Sequence, residues 1–131
     1  MNIQTIKTIT VIQPWAILII NNMKHIETRS WQTQVRGRIA IHAGKNAAYI
    51  KGILPEPPMG CIIGSVDLID CIPLEEVRTK YPNLYTDQEI ALGDWSPGRY
   101  GFILSAPIQY SRPIPMRGKQ GWWDWKPSEG L

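Results

Sequence analysis

A carboxylate, two cationic side chains and two indoles lie within one short stretch near the start of the sequence. The ionisable residues are Lys24, Glu27 and Arg29, and the indoles of Trp15 and Trp31 lie on either side of them. Ionisable side chains beside large aromatic rings are typical of a pocket that combines a flat apolar wall with directed hydrogen bonds. We therefore expect these residues to bind a ligand, with Lys24 and Glu27 as the catalytic pair if the protein is an enzyme.

The spacing fits alternation along a strand, with Glu27, Arg29 and Trp31 on one face and Ile26 and Thr28 on the other. A carboxylate and a guanidinium can read the hydrogen-bonding edge of a base while an indole stacks on its face, as in many complexes with single-stranded nucleotides. The alternative is an exposed ion pair between Glu27 and Arg29, which would add little stability. Both interpretations remain open from the residues alone.

Two more residues of this stretch depend on a predicted turn and helix. Lys24 lies at the turn before the strand, where its ammonium can reach a phosphate, a carbonyl or a carboxylate, although a solvated lysine is the commoner case. Gln13 precedes Pro14, and proline is favoured in the first turn of a helix. Amides at a helix N-terminus suit a phosphate or carboxylate, so we include Gln13 in the site. Trp15 shares an apolar helical stripe with Leu18 and Ile19, which favours core packing over ligand binding.

Basic and aromatic residues recur later in the chain. Arg99 follows a turn, where it can clamp a phosphate from the rim of a site or belong to a structural turn. The C-terminal segment carries Arg117, Lys119, Trp122, Trp123 and Trp125. This segment can extend a nucleic-acid groove, but for at least two of the indoles we favour packing into one end of a small barrel. His42 ends an apolar strand and is expected to be structural.

The predicted elements form a mixed pattern. Strands are predicted at 8–12, 25–31, 38–43, 61–70 and 100–106, and helices at 14–21, 45–50, 74–80 and from Thr86 to about Gly93. Thr86 and Glu89 form a candidate capping box, and Gly64 is a candidate bulge of the kind that bends barrel strands. We predict an α+β fold, a small β-barrel of mixed strands with short flanking helices.

Composition narrows the class of protein. A chain of 131 residues with 44% hydrophobic content predicts one domain over 1–131, and a net charge of +3 is too slight to indicate nucleic-acid binding by itself. Cys61 and Cys71 would lie roughly 33 Å apart on an extended strand, too far for a disulfide. With two histidines and no Cys-x-x-Cys pair, we expect no metal and no cofactor. The apolar runs are too short for a membrane span or a signal peptide, so we expect a cytoplasmic protein, with a monomer favoured.

Three motifs in the stretch resemble a known family. They are Q-P-W-A at 13–16, N-x-K-x-x-E-x-R at 22–29 and W-x-T at 31–33. Together they resemble the signature of the ASCH domain, a small β-barrel related to the PUA RNA-binding domains. The segments 92–100 and 117–123 resemble later blocks of small stand-alone ASCH proteins. Asn22 stands where the family usually carries glycine, and asparagine tolerates the left-handed conformation better than most residues.

The resemblance implies an RNA-binding or modified-nucleotide-binding module, with its cleft between the first helix and the strand that ends at Trp31. It also implies two alternatives. Some small ASCH proteins are amidohydrolases acting on acetylated cytidine, in which a lysine activates a threonine nucleophile and a distant glutamate assists. Lys24 matches that lysine, but Glu27 stands at the place of the threonine, so the hydroxyl nucleophile is missing. Cleavage of RNA, with Glu27 as base and Lys24 and Arg29 stabilising charge, is another hydrolase reading. The second alternative is a protein-interaction or coregulator module, which would present an exposed apolar patch.

Overall fold

Six strands and three short α-helices make up the part of the chain that the computed structural model describes, residues 4–47 and 57–127. In chain order they are β1 (Ile6–Gln13), α1 (Trp15–Ile20), β2 (Ile26–Arg29), β3 (Gly37–Ala47), β4 (Cys61–Pro73), α2 (Val77–Lys80), α3 (Asp87–Ala91), β5 (Tyr100–Pro115) and β6 (Trp122–Trp125). Single turns of 3-10 helix cover Leu74–Glu76 and Pro82–Leu84. None of the described helices is long and apolar enough to cross a membrane.

The strands form one mixed sheet in the order β2-β5-β4-β3-β1-β6. β1 runs parallel to β3, and the other neighbouring pairs are antiparallel. The α+β class is confirmed, but the predicted closed barrel is wrong, because the sheet ends at β2 and β6 with no ladder between them in the described chain. β6 pairs with β1 from Ile6 to Ile9 and then stops. The rest of β1 therefore faces a gap across from β2.

Aromatic side chains span part of this gap. The ring of Trp31 packs edge-on against Phe102 at 5.3 Å and against Trp122 at 6.3 Å between ring centroids. Trp122 Nε1 also donates a hydrogen bond to Thr33 Oγ1 at 2.9 Å. The residues after β2 are thus attached to β6 by side chains instead of by a backbone ladder.

Gly64 lies where β4 bends, as its sequence position predicts. The register of β4 shifts beside Gly64 against both β3 and β5. A Cβ atom added there would lie 2.2 Å from the carbonyl oxygen of Ile108. Glycine is therefore required because the backbone of β5 approaches too closely for any side chain.

Helix α1 covers the main hydrophobic core with Ala16, Ile19 and Ile20. The predicted stripe of Trp15, Leu18 and Ile19 is displaced by one residue, so Trp15 and Leu18 are half-buried. The sequence of α1 is apolar throughout, and for this reason the i, i+3, i+4 pattern fits more than one face.

Other predicted elements differ in extent. The helix predicted at 45–50 is wrong over its first residues, because β3 continues to Ala47, and the remainder lies outside the described residues. β5 runs to Pro115, well beyond the predicted end at Ala106. The predicted capping box of α3 is confirmed in its first half, since Glu89 N donates to Thr86 Oγ1 at 3.1 Å. Its second half is wrong, because Thr86 N donates to Leu84 O and the Glu89 carboxylate accepts from His25 N and Ile26 N instead. Cys61 and Cys71 are free thiols.

His42 connects the C-terminal segment to the sheet. Its Nε2 donates to the carbonyl of Met116 at 2.6 Å, and its Nδ1 lies 3.2 Å from Thr10 Oγ1. Trp123 packs edge-on against the imidazole at 5.5 Å and donates from Nε1 to the same hydroxyl at 3.3 Å. Trp123 and Trp125 are both buried, which agrees with the packing role favoured for two of the indoles. Burial lowers the pKa of His42, so the folded state holds it neutral.

This neutral imidazole predicts a loss of stability in acid. A histidine whose pKa is lowered by folding contributes its full stability above about pH 6.5, and the contribution is lost as the pH falls through the folded pKa. We expect the free energy of unfolding, measured by urea denaturation, to fall from pH 7 to pH 5 less steeply in His42→Gln than in the wild type. One proton limits the difference in slope to about 1.4 kcal/mol per pH unit. Equal slopes in the two proteins would contradict the assignment.

Candidate ligand-binding site

A cavity of about 540 Å³ lies where the edges of β1 and β2 separate. Its walls come from β1, α1, β2 and the loop after α3. The contributing residues are Thr10, Val11, Ile12, Trp15, Lys24, Glu27, Thr28, Arg29, Leu92, Gly93, Asp94 and Arg99. Five of the seven residues proposed from the sequence therefore line one cavity: Trp15, Lys24, Glu27, Arg29 and Arg99.

Lys24 is buried, with 1% of its side chain exposed. Its Nζ donates to two backbone carbonyls, Ile26 O and Leu92 O, each at 2.6 Å. Burial lowers the pKa of Lys24, and the charges of Glu27 and Glu89 oppose that shift without cancelling it. Lys24 is thus not the solvated turn lysine that would reach outward to a phosphate.

Glu27 and Arg29 form a close ion pair on β2. Arg29 Nε and Nη2 lie 2.9 and 2.8 Å from the same oxygen of Glu27, Oε2. Arg29 Nη2 also donates to Thr10 O at 2.9 Å, so this guanidinium spans the gap to β1. The other oxygen of Glu27, Oε1, lies 3.9 Å from Lys24 Nζ. The pair leaves this second oxygen free to accept a hydrogen bond from a ligand.

Trp15 forms the apolar wall of the cavity. Its indole ring lies beside Lys24, with Nζ 5.8 Å from the ring centroid. The ring is half-buried, and this leaves part of its surface available to a ligand. Trp15 lines the cavity because the buried face of α1 is displaced by one residue from the predicted one. As a result Ala16 is fully buried in the core and Trp15 is not.

Arg99 attaches the loop after α3 to β2. Its Nη2 donates to Thr28 O at 3.1 Å, and its Nε donates to Asp94 O at 3.1 Å. The hydrogen bonds that Asp94 accepts from Ser96 lower the pKa of the Asp94 carboxyl, and Arg99 lowers it further. Arg99 lies at the edge of the cavity with 24% of its side chain exposed, so its cationic guanidinium is partly accessible to solvent.

Gln13 and Trp31 lie outside the cavity, contrary to the sequence prediction. Gln13 is fully buried, and its side chain accepts from Ile17 N at 2.9 Å and donates to Pro58 O at 2.8 Å. The side-chain oxygen of Gln13 thus accepts the hydrogen bond from Ile17 N in α1, and this N–H is not available to a bound anion. Trp31 lies beyond the end of β2, where the strand alternation no longer sets its direction, and its half-buried ring packs against the hydrophobic core.

Glu89 is a buried carboxylate that sequence reasoning treated merely as part of a helix cap. Its oxygens accept from His25 N at 3.0 Å and from Ile26 N at 3.1 Å, and His25 Nδ1 lies 2.9 Å from Oε1. Glu89 therefore fixes the start of β2 and, with it, Lys24. The capping signal placed Glu89 on α3, but its contact with β2 spans more than sixty residues and has no local signal.

Leu92 and Gly93 complete the enclosure of Lys24. The Leu92 carbonyl accepts from Lys24, and a Cβ added to Gly93 would lie 3.3 Å from Lys24 Nζ. The absence of a side chain at Gly93 thus lets the loop approach the amine closely. Within the described ranges, no group of three or more histidine, cysteine, aspartate or glutamate side chains is placed to hold a metal ion.

The role of Glu89 predicts a sensitive isosteric variant. Glu89→Gln replaces one acceptor oxygen by an NH2 donor. Even with the remaining oxygen at the Oε2 position, where it accepts from both His25 N and Ile26 N, the new NH2 group would lie 3.0 Å from His25 N, so that two donors oppose each other. We expect a loss of about 1–3 kcal/mol in the free energy of unfolding by urea denaturation, with faster hydrogen exchange at His25 N and Ile26 N. The matched control is Glu76→Gln on the surface, for which a change within about 0.5 kcal/mol is expected. Unchanged stability and exchange in Glu89→Gln would refute this role.

Comparison with known proteins agrees with the fold and the signature. The model of the ASCH domain matches residues 9–112. Activating signal cointegrator 1 of Mus musculus is 32% identical over 128 residues, covering 85% of this chain and 21% of that protein. The Homo sapiens protein of the same name is 28% identical over 136 residues, with 88% and 21% covered. The chain thus spans about a fifth of the length of these relatives.

Solved structures give the same result for the fold. The ASCH protein of Zymomonas mobilis superposes with a TM-score of 0.56 at 18% identity, covering 83% of this chain and 72% of that one. A point variant of the same protein gives a TM-score of 0.57 at 18% identity, with 86% and 76% covered. The domain match over most of the chain, the conserved fold and the signature around Lys24 lead to one conclusion: the chain belongs to the ASCH domain family.

Proposed function

We propose that the chain binds RNA or a modified nucleoside or nucleotide in the cavity between α1 and β2. The observation that carries the proposal is the convergence of three groups on one cavity: the Trp15 ring, the free oxygen of Glu27 and the amine of Lys24. An aromatic wall supports stacking on a base, and the neighbouring acceptor and amine support hydrogen bonds to its edge. A volume of about 540 Å³ suits a single nucleoside, and a stacked duplex would not enter it.

In this proposal, arginine side chains contact the phosphate groups of the ligand. Lys24 is too deeply buried to reach a backbone phosphate, whereas Arg99 and Arg29 are partly exposed, at 24% and 22% of their side chains. Both guanidinium groups donate to backbone carbonyls, but Arg29 lies 2.8 Å from a carboxylate oxygen of Glu27, whereas Arg99 lies 3.7 Å from that of Asp94. The charge of Arg99 is therefore less neutralised, which makes it the better phosphate ligand of the two. The sequence indicates that the Lys24 ammonium can reach a phosphate; in this proposal Arg99 makes that contact instead.

Binding without hydrolysis is the form of the proposal that the site supports. Glu27 occupies the threonine position of the amidohydrolases, and it is a carboxylate already paired with Arg29. Thr28 supplies the nearest hydroxyl on β2, but its Oγ1 accepts from Asp94 N at 3.3 Å and the residue is buried. Thr28 lines the cavity, but its burial and its hydrogen bond with Asp94 N disfavour it as a threonine-type nucleophile.

A protein-interaction module is the second candidate, and a separate groove supports it. This groove of about 830 Å³ lies away from Lys24 and is lined by residues 109–115 of β5 together with Ile6, Trp125 and Pro127. Its lining is largely apolar, as expected for a surface that contacts another protein. The similarity to a protein named as a signal cointegrator favours the same candidate, although the chain covers a fifth of that protein.

RNA binding is tested by the salt dependence of Arg99→Ala. We expect this variant to bind a single-stranded oligoribonucleotide more weakly and to lower the slope of log affinity against log salt by about 1, because one phosphate contact is lost. Binding of a free nucleoside, which has no phosphate, should change little. Fluorescence anisotropy and calorimetry measure the two affinities. Arg78→Ala, exposed on α2, is the control and should match the wild type. If the wild type binds neither RNA nor nucleosides at low salt, the interaction module is favoured.

The absence of hydrolysis is a separate prediction. Incubation of the wild type with acetylated cytidine should give binding but no release of cytidine, whereas Glu27→Gln should weaken binding by about tenfold because a charged acceptor is lost. Chromatography follows the release, and Glu27→Thr tests whether a restored hydroxyl introduces it. Robust turnover by the wild type that disappears in Lys24→Ala would show that the chain is a hydrolase.

A further inference from the structure

The amine of Lys24 has two hydrogen-bond acceptors, and a neutral amine has two hydrogens. Ile26 O and Leu92 O each lie at 2.6 Å from Nζ, and both are backbone carbonyls. An ammonium would need a third acceptor, but the nearest carboxylate oxygen, Glu27 Oε1, is at 3.9 Å, beyond hydrogen-bond distance. In the described chain the third N–H of an ammonium would have only this carboxylate and the Trp15 ring, whose centroid lies 5.8 Å from Nζ. The surroundings of Nζ therefore satisfy the hydrogen bonds of the neutral amine more fully than those of the ammonium.

The neighbouring carboxylates do not require Lys24 as their counter-ion. Glu27 is paired with Arg29 through two contacts at 2.8 and 2.9 Å. Glu89 accepts from two backbone amides and lies against His25. Burial, the largest influence on Lys24, lowers its pKa and so increases the share of neutral amine at a given pH.

The same amine borders a cavity that holds a carboxylate. Once both N–H groups are directed at carbonyls, the remaining tetrahedral position of Nζ carries the lone pair, which is the nucleophilic site. Lys24 and Glu27 line the same cavity, and Lys24 Nζ lies 3.9 Å from Glu27 Oε1. Desolvated lysines with a nearby proton acceptor are suited to forming Schiff bases with carbonyl compounds.

We propose that Lys24 is an amine nucleophile that captures an aldehyde in this cavity as a reversible imine. The substrate class is the open-chain sugar aldehyde of a nucleotide that has lost its base. The nucleotide part of this substrate rests on the proposed function, whereas the amine chemistry does not. The indole of Trp15 then packs against the sugar or a neighbouring base.

The atoms balance without an oxidant or a reductant. The lone pair of Nζ attacks the aldehyde carbon, a C–N bond forms, and the π electrons of the carbonyl move onto its oxygen. Glu27 Oε1 takes one proton from the nitrogen and passes it to this oxygen, which gives a neutral carbinolamine. One further proton, supplied by solvent through Glu27, converts the hydroxyl to water, which leaves as the nitrogen lone pair forms the C=N bond. The protonated imine keeps one N–H for a backbone carbonyl, and addition of water reverses the reaction.

The amine chemistry is tested on the wild-type protein with propionaldehyde and cyanoborohydride at pH 7. The reductant converts any imine to a stable secondary amine, and peptide mass spectrometry locates it. We expect Lys24 to be modified faster than Lys80, because burial lowers the pKa of Lys24 and so raises its neutral fraction, whereas the pKa of Lys80 is raised. Lys80 is the matched control, since Asp70 raises its pKa and its side chain is exposed. Modification of Lys24 at or below the rate of Lys80 would overturn the proposal.

The substrate class is tested with a single-stranded oligonucleotide that carries one abasic site. Cyanoborohydride should give a covalent complex on a denaturing gel with this oligonucleotide and none with the intact strand. Lys24→Arg keeps donors for both carbonyls and should abolish the complex, whereas Lys80→Arg should leave it unchanged; urea denaturation checks that both variants fold. Trapping of propionaldehyde at Lys24 without trapping of the abasic strand would overturn the nucleotide substrate, while the reactive amine would stand. The proposed function is decided separately, by whether the wild type binds RNA or a nucleoside at low salt.

Discussion

The structure depends on how one edge strand satisfies its backbone. β2 has four residues and pairs with β5 along one edge, so the polar groups on its other edge need partners that no strand supplies. Side chains supply them: Glu89 accepts from Ile26 N, Lys24 donates to Ile26 O, and Arg99 donates to Thr28 O. This arrangement replaces a sixth ladder and leaves the sheet open. Two of these groups, Lys24 and Arg99, line the cavity at the resulting gap.

The gap and the candidate ligand site are therefore the same feature. β6 stops pairing with β1 after Ile9, and Arg29 reaches across to Thr10 O where a backbone ladder would otherwise continue. A closed barrel would fill this space with strand backbone. In the open sheet the space is a cavity whose wall is the Trp15 ring and whose polar groups already have fixed positions, because their structural hydrogen bonds hold them.

Burial and pairing divide the charges of the site into distinct roles. Arg29 neutralises Glu27, so the buried Lys24 need not carry a positive charge to balance it. Arg99 remains partly exposed and is suited to a phosphate, while the deeper amine and the free oxygen of Glu27 are suited to hydrogen bonding or to proton transfer. The cavity thus has a cationic group at its rim and directed polar groups deeper in, and the proposed binding of a nucleotide rests on this arrangement.

The sequence by itself determined the features that depend on neighbouring residues. Alternation placed Glu27 and Arg29 on one face, the Thr86 cap began α3, and glycine marked the bend of β4, because each depends on local backbone geometry. Tertiary structure decided whether the sheet closes and which carbonyls surround Lys24. Leu92, whose carbonyl accepts from Lys24, is 68 residues away from it in the sequence, and the Trp122 ring that packs against Trp31 belongs to β6. Such contacts form between segments that are distant in sequence, and their choice depends on the whole packing of the sheet, which no local pattern records.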